Sequence, residues 1–164
     1  MEKYIKKNTQ IRIARKEDIP LLLALIGEVF QEYDFIYNAF DELPDFFDFD
    51  KVYAFTDSHL YVVEDSGKVV ACGGYMYDEE KSPVLKRIYV DINQRRKGYG
   101  ELLVRFLCDE IKELGFPEVS LWTDTRFTKA HRLYEKLGFK VTERKRPLND
   151  VNVSYEIEYL KSFL

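Results

Sequence analysis

The chain has 164 residues, 46% of them apolar and 33% charged, with two cysteines and a formal charge of −4. That suffices for one globular domain over residues 1–164 and is too apolar for a disordered chain. The acidic balance speaks against general nucleic-acid binding, which needs clustered Lys and Arg, and leans toward a cationic partner.

No apolar stretch follows the opening Met1-Glu2-Lys3, and no run is long enough to span a bilayer. A cytoplasmic protein without a membrane partner is expected. Cys72 and Cys108 lie far apart in apolar runs and fit no metal or redox spacing. They read as buried free thiols in a reducing compartment, with no metal site.

Ile11-Arg12-Ile13 reads as a short strand. Asp18 and Pro20 then open a helix whose apolar face carries Ile19, Leu22, Leu23, Ile26, Phe30 and Tyr33. Residues 31–50 interleave Glu32, Asp34, Asp41, Glu42, Asp45, Asp48 and Asp50 with seven aromatics and contain no Lys or Arg. Short helices and loops packed over the domain suit this segment. Leu60–Glu64 and Lys68–Met76 flank Asp65-Ser66-Gly67 as a hairpin. Val84–Val90 is the next strand.

A Gly-rich turn follows, then a helix with Leu102, Leu103, Phe106, Leu107, Ile111 and Leu114 on one face, ended by Gly115 and Pro117. Val119–Trp122 is a strand. A second amphipathic helix carries Ala130, Leu133, Tyr134 and Leu137, with Gly138 past its end. Phe139–Glu143 and Val151–Tyr159 close the chain as strands. The order implies one α/β domain, a mixed and mostly antiparallel sheet with helices on both faces.

The turn Arg95-Arg96-Lys97-Gly98-Tyr99-Gly100 lies between a strand and a helix. Unpaired amides and the dipole at a helix start favour phosphate, the glycines allow close backbone approach, and three cations balance a pyrophosphate. It is neither a Walker loop nor a dinucleotide fingerprint. The same residues would also suit a solvated basic loop.

Arg95-x-x-Gly98-x-Gly100 after Leu85-Lys86-Arg87-Ile88-Tyr89-Val90, followed by Ala130-His131-Arg132-Leu133-Tyr134-Glu135-Lys136-Leu137-Gly138-Phe139, resembles the GNAT N-acetyltransferase family. The opening Ile11–Ala14 with Glu17-Asp18 and the closing strands extend the resemblance over nearly the whole chain. It implies the GNAT fold, with acetyl-coenzyme A as acyl donor and direct attack by a primary amine. Ile88, Tyr89 and Val90 would hold the pantetheine arm through their backbone, and an amide there would hold the thioester carbonyl. Arg95, Arg96, Lys97, Gly98, Tyr99 and Gly100 would take the pyrophosphate. Tyr134 would protonate the departing thiolate, although its place on the apolar face equally suits a core aromatic. Family members often dimerise, so a homodimer is also implied.

Two departures from the family pattern bear on the site. Many relatives have Glu where Val84 stands, which leaves the base unassigned; Glu64 and Asp124 are weak substitutes, with solvated strand-end carboxylates the plainer reading. Many have Asn where Phe127 stands, a coenzyme contact that Thr125 or Lys129 could take over. His131 reads as a surface or coenzyme-rim residue. The acceptor would be a small cationic metabolite met by segment 31–50; a protein lysine or N-terminus, or a non-catalytic acyl-coenzyme A module, are the alternatives.

Overall fold

The computed structural model describes residues 7–164; Met1-Glu2-Lys3 lies outside them. Its strands are β1 (Thr9–Ile13), β2 (His59–Asp65), β3 (Lys68–Tyr77), β4 (Pro83–Val90), β5 (Glu118–Asp124), β6 (Lys140–Pro147) and β7 (Tyr155–Ser162). Its helices are α1 (Ile19–Glu32), α2 (Ala39–Glu42), α3 (Pro44–Phe47), α4 (Tyr99–Glu113) and α5 (Thr128–Lys136). The strands form one seven-stranded sheet, β1-β2-β3-β4-β5-β7-β6. Neighbours are antiparallel except β4 and β5, which run parallel because α4 carries the chain across one face between them.

Each face of the sheet has its own core. On one, Leu103, Val104, Leu107 and Ile111 of α4 are fully buried against Val63, Ala71, Leu85 and Leu121. On the other, Leu22 and Ile26 of α1, with Leu43, Phe46 and Phe49, cover Leu60, Val62 and Cys72. Full burial of each such aliphatic or aromatic side chain contributes about 1.5–3 kcal/mol. Helices thus lie on both faces, as expected. Among the described residues no helix is long and apolar enough to cross a membrane.

Several boundaries differ from the sequence reading. Asp18 does not cap α1 with its side chain. Its carboxylate instead accepts from Arg12 at 2.8 Å and from the Arg15 amide at 2.7 Å. Leu114 follows the end of α4 and is 57% exposed, outside the buried face. The closing strand begins at Tyr155, not Val151. Asp150 accepts from the Ser154 amide at 2.6 Å and the Ser154 hydroxyl at 2.7 Å, and Val153 has φ 51°. Side-chain hydrogen bonds therefore turn the chain where alternation alone suggests strand. Segment 31–50 does fold as short helices and loops, and a π-helical turn, Asp50–Ala54, follows it.

Candidate active site

The site begins with a break in the sheet. β4 pairs with β5 only at Val84–Ser120 and Leu85–Leu121; beyond Leu85 the two strands part. The cause lies on the other edge of β4. Cys72 pairs with Tyr89 but Gly74 with Lys86, so Gly73 alone faces both Arg87 and Ile88. This is a β-bulge, with Arg87 at φ 61°. A Cβ on Gly73 would meet Ile88 Cδ1 at 2.6 Å and Leu103 Cδ2 at 2.9 Å, so glycine is what lets the bulge close. The guanidinium of Arg87 donates to Asp45 at 2.6 and 3.3 Å, and the Tyr53 hydroxyl donates to the same carboxylate.

A cleft of about 1110 Å³ opens in the gap. Ile88, Tyr89 and Val90 line it, and their β5-facing backbone has no strand partner among the described residues. At one end lies the Gly-rich turn. Gly98, with φ 82°, is the residue before α4, in a conformation that side chains resist. No side chain caps this helix start, so the amides of Tyr99, Gly100 and Glu101 lack helical partners.

The turn's side chains divide. Arg95 Nη1 donates to both carboxylate oxygens of Glu32 at 2.7 and 2.6 Å, and Lys129 approaches the same group at 3.4 Å. This carboxylate at the end of α1 already bridges two of the expected coenzyme ligands. Arg96 is exposed on the rim. Lys97 lies outside the lining and donates to Gln94 at 2.7 Å. The Tyr99 hydroxyl donates to Asp65 in the β2–β3 hairpin, so only its backbone serves the turn.

Tyr134 is 5% exposed and lines the cleft from α5. Its hydroxyl has no hydrogen-bond partner among the described residues. Among the described residues the fully buried polar side-chain atom left without a partner is Arg12 Nε; the Tyr134 hydroxyl, on a residue that lines the cleft, is not one. Burial pushes its pKa up, so the phenol keeps its proton.

The model of the acetyltransferase (GNAT) family matches residues 26–139. The chain belongs to the GNAT acetyltransferase family. A GNAT-family acetyltransferase of Staphylococcus aureus Mu50 superposes with a TM-score of 0.81 at 18% identity, covering 95% of this chain and 99% of that one. The Salmonella typhimurium protein yncA, solved with its cofactor acetyl-CoA, gives 0.70 at 18% identity over 94% of each chain. At such identities these structures speak for the fold. Human N-acetyltransferase 8 is 36% identical over 90 residues, which is 52% of this chain and 40% of that protein. Mycothiol acetyltransferase of Corynebacterium glutamicum strain R is 33% identical over 92 residues, 54% of this chain and 30% of that protein. The chain thus spans less than half the length of these curated relatives.

Within this GNAT chain, the candidate substitutes for the missing Glu fare differently. Val84 is a buried cleft residue without a titratable group. Glu64 lies outside the lining and is paired with Arg12 at 3.0 Å and Gln10 at 2.5 Å. Asp124 does line the cleft, but Arg126 holds it at 2.8 and 2.9 Å; despite its burial, the pairing keeps its pKa low. His131 sets Nε2 2.9 Å from the Asp124 carbonyl oxygen and is not part of the lining. Phe127, in the family's Asn position, stacks with Tyr33 at 4.8 Å and Phe35 at 5.8 Å. An aromatic contact thus joins the end of α1 to the start of α5.

Segment 31–50 contributes both to the core and to the cleft lining. Leu43, Phe46 and Phe49 are core, while Tyr33, Phe35, Asp41 and Glu42 line the cleft. Glu42 had not been singled out. It is half-buried with no hydrogen bond or ion pair among the described residues. Burial first, then Asp150, Asp41 and Asp124, raise its pKa against the pull of Arg87. Its one sequence signal was membership of an acidic run without Lys or Arg.

Proposed function

We propose that the chain transfers an acetyl group from acetyl-coenzyme A to the nitrogen of a small cationic primary amine, by direct attack. One observation carries the reading: the parting of β4 and β5 creates a cleft with an uncapped helix start at one end and the unpartnered Tyr134 hydroxyl within it. The residues fit the donor. The amides of Tyr99, Gly100 and Glu101, with Arg95, Arg96 and Lys129, offer donors and charge to a pyrophosphate. The strand-free backbone of Ile88, Tyr89 and Val90 can pair with an extended arm as an added strand would.

When bound, the donor supplies an activated thioester carbonyl. The chain's own groups would do the rest. A backbone amide of Ile88–Val90 would stabilise charge on the carbonyl oxygen, and fixed donors of this kind lower such barriers by about 3–4 kcal/mol. Tyr134 would donate its proton to the leaving sulfur. A lysine-like amine arrives protonated, with a pKa of about 10.4. Glu42, whose carboxylate has no partner among the described residues and whose pKa burial raises, would remove that proton. Asp41, Asp150 and Glu156 line the same cleft and favour a cation.

Isothermal titration of acetyl-coenzyme A into the protein tests the reading, beside Gly98→Trp with its melting temperature as a folding control. Micromolar binding lost in the folded variant supports it. No binding by the native protein overturns it. A peptide panel beside small amines separates protein acceptors from metabolites.

A further inference from the structure

Beyond Leu85 the sheet no longer fixes how far apart the two banks of the cleft stand, because no ladder joins β4 to β5 there. One bank continues from β4 into the turn that holds Arg95. The other continues from β5 into α5, whose first turn holds Lys129. Both side chains line the cleft. The carboxylate of Glu32, the last residue of α1, joins them. The ring contact of Tyr33 with Phe127 ties the same end of α1 to the β5 bank.

Glu32 stands where its helix least favours it. A helix C-terminus carries partial negative charge, so the dipole opposes a carboxylate there. The last turn of α1 contains no cation of its own. The cost is offset from outside the helix, by Arg95 at 2.6 and 2.7 Å and Lys129 at 3.4 Å. These pairings, Arg95 foremost, hold the Glu32 pKa below its ordinary value of 4.5.

The pairing does not use the cations up. Arg95 reaches Glu32 through Nη1 alone, and its Nη2 and Nε have no partner among the described residues. A guanidinium has five N–H donors and an ammonium three. Glu32 itself is not part of the cleft lining. It holds the two cations from outside that lining and leaves their other donors for an anion within it.

We propose that Glu32 is a positioning residue for the acyl donor: from the end of α1 it fixes Arg95 and Lys129 on opposite banks, set to receive a phosphate of coenzyme A. This rests on the donor reading above. Long cationic side chains lose rotamer freedom when they grip a phosphate, and a tethered pair has lost much of it already. The acidic segment 31–50 is thus divided in its use. Glu32 serves the donor end, while Asp41 and Glu42 line the cleft. A carboxylate that merely competed with the phosphate would have the opposite effect, and its removal would tighten binding.

Isothermal titration of coenzyme A into the protein and its Glu32→Gln variant decides the sign. Gln keeps the shape and loses the charge. Coenzyme A should bind about three- to tenfold more weakly, the share of a part-exposed ion pair. Arg95→Gln with Lys129→Gln should also weaken binding, and Glu32→Gln added to that pair should change nothing further. A purely structural role would not produce this coupling, and unchanged far-ultraviolet dichroism shows that each variant folds. Dephospho-coenzyme A keeps the pyrophosphate and lacks the 3′-phosphate. An equal loss with both ligands assigns the cations to the pyrophosphate, and a loss confined to coenzyme A assigns them to the 3′-phosphate; either supports the role. Unchanged or tighter binding by Glu32→Gln overturns it, as does an equal loss in the background lacking both cations. If the native protein binds no coenzyme A, the donor reading falls and this inference with it. If it binds and Glu32→Gln binds equally well, this inference falls alone.

Discussion

Arg87 and Asp45 meet at 2.6 Å across 42 positions of sequence, and their ion pair joins α3 to the bulge that parts β4 from β5. The pair holds a non-glycine residue at positive φ, a conformation that costs roughly 1–2 kcal/mol.

Asp45→Asn should therefore destabilise the fold. Removing one partner of a buried pair costs about 3–5 kcal/mol, and for a chain of this size about 2–4 °C in melting temperature per kcal/mol. A fall of roughly 10 °C in thermal unfolding is expected. Arg87→Met on that background should recover part of it, because no unpaired guanidinium remains.

Glu42→Gln should lower the kcat for acetyl transfer by about 10²-fold or more, the usual contribution of a positioned base. The wild-type kcat/KM should fall as pH drops through the raised Glu42 pKa, so its acid limb should lie above the ordinary value of 4.5. The variant should lack that limb. Stability gives a second readout with a definite sign. A carboxyl whose folded pKa is raised binds more protons folded than unfolded, so it stabilises less as pH rises. Glu42→Gln should melt higher than wild type at pH 7, and the difference should vanish below about pH 4.

Tyr134→Phe keeps the ring that packs at 5.9 Å from Phe139 and removes only the hydroxyl. Turnover should fall by about 10²-fold while acetyl-coenzyme A affinity and melting temperature stay within error. Since burial raises this phenol, it remains protonated through the assayable range and contributes no alkaline limb. Unchanged turnover would remove Tyr134 from the role of acid.

Much of this was legible in the chain itself. Period-two and period-3.6 patterns located β1, α1, the β2–β3 hairpin, β4, α4, β5 and α5, because burial of one face demands those patterns. Gly98 announced a turn that only glycine adopts easily, and Ala130 to Phe139 placed Tyr134 on the inner face of α5. These are local properties: backbone freedom, side-chain spacing and the unpaired amides of a helix start.

Tertiary structure decided the rest. That Lys97 and the Tyr99 side chain turn away from the cleft depends on Gln94 and Asp65 being within reach. That Glu64 and Asp124 are held in ion pairs depends on Arg12 and Arg126. That Glu42 is a half-buried cleft carboxylate without a partner among the described residues could not be read from composition, since it depends on which distant elements pack around it. Sequence determines which groups a chain carries and where helices and strands must place them. Pairing across distant elements determines which of those charges remain unpaired.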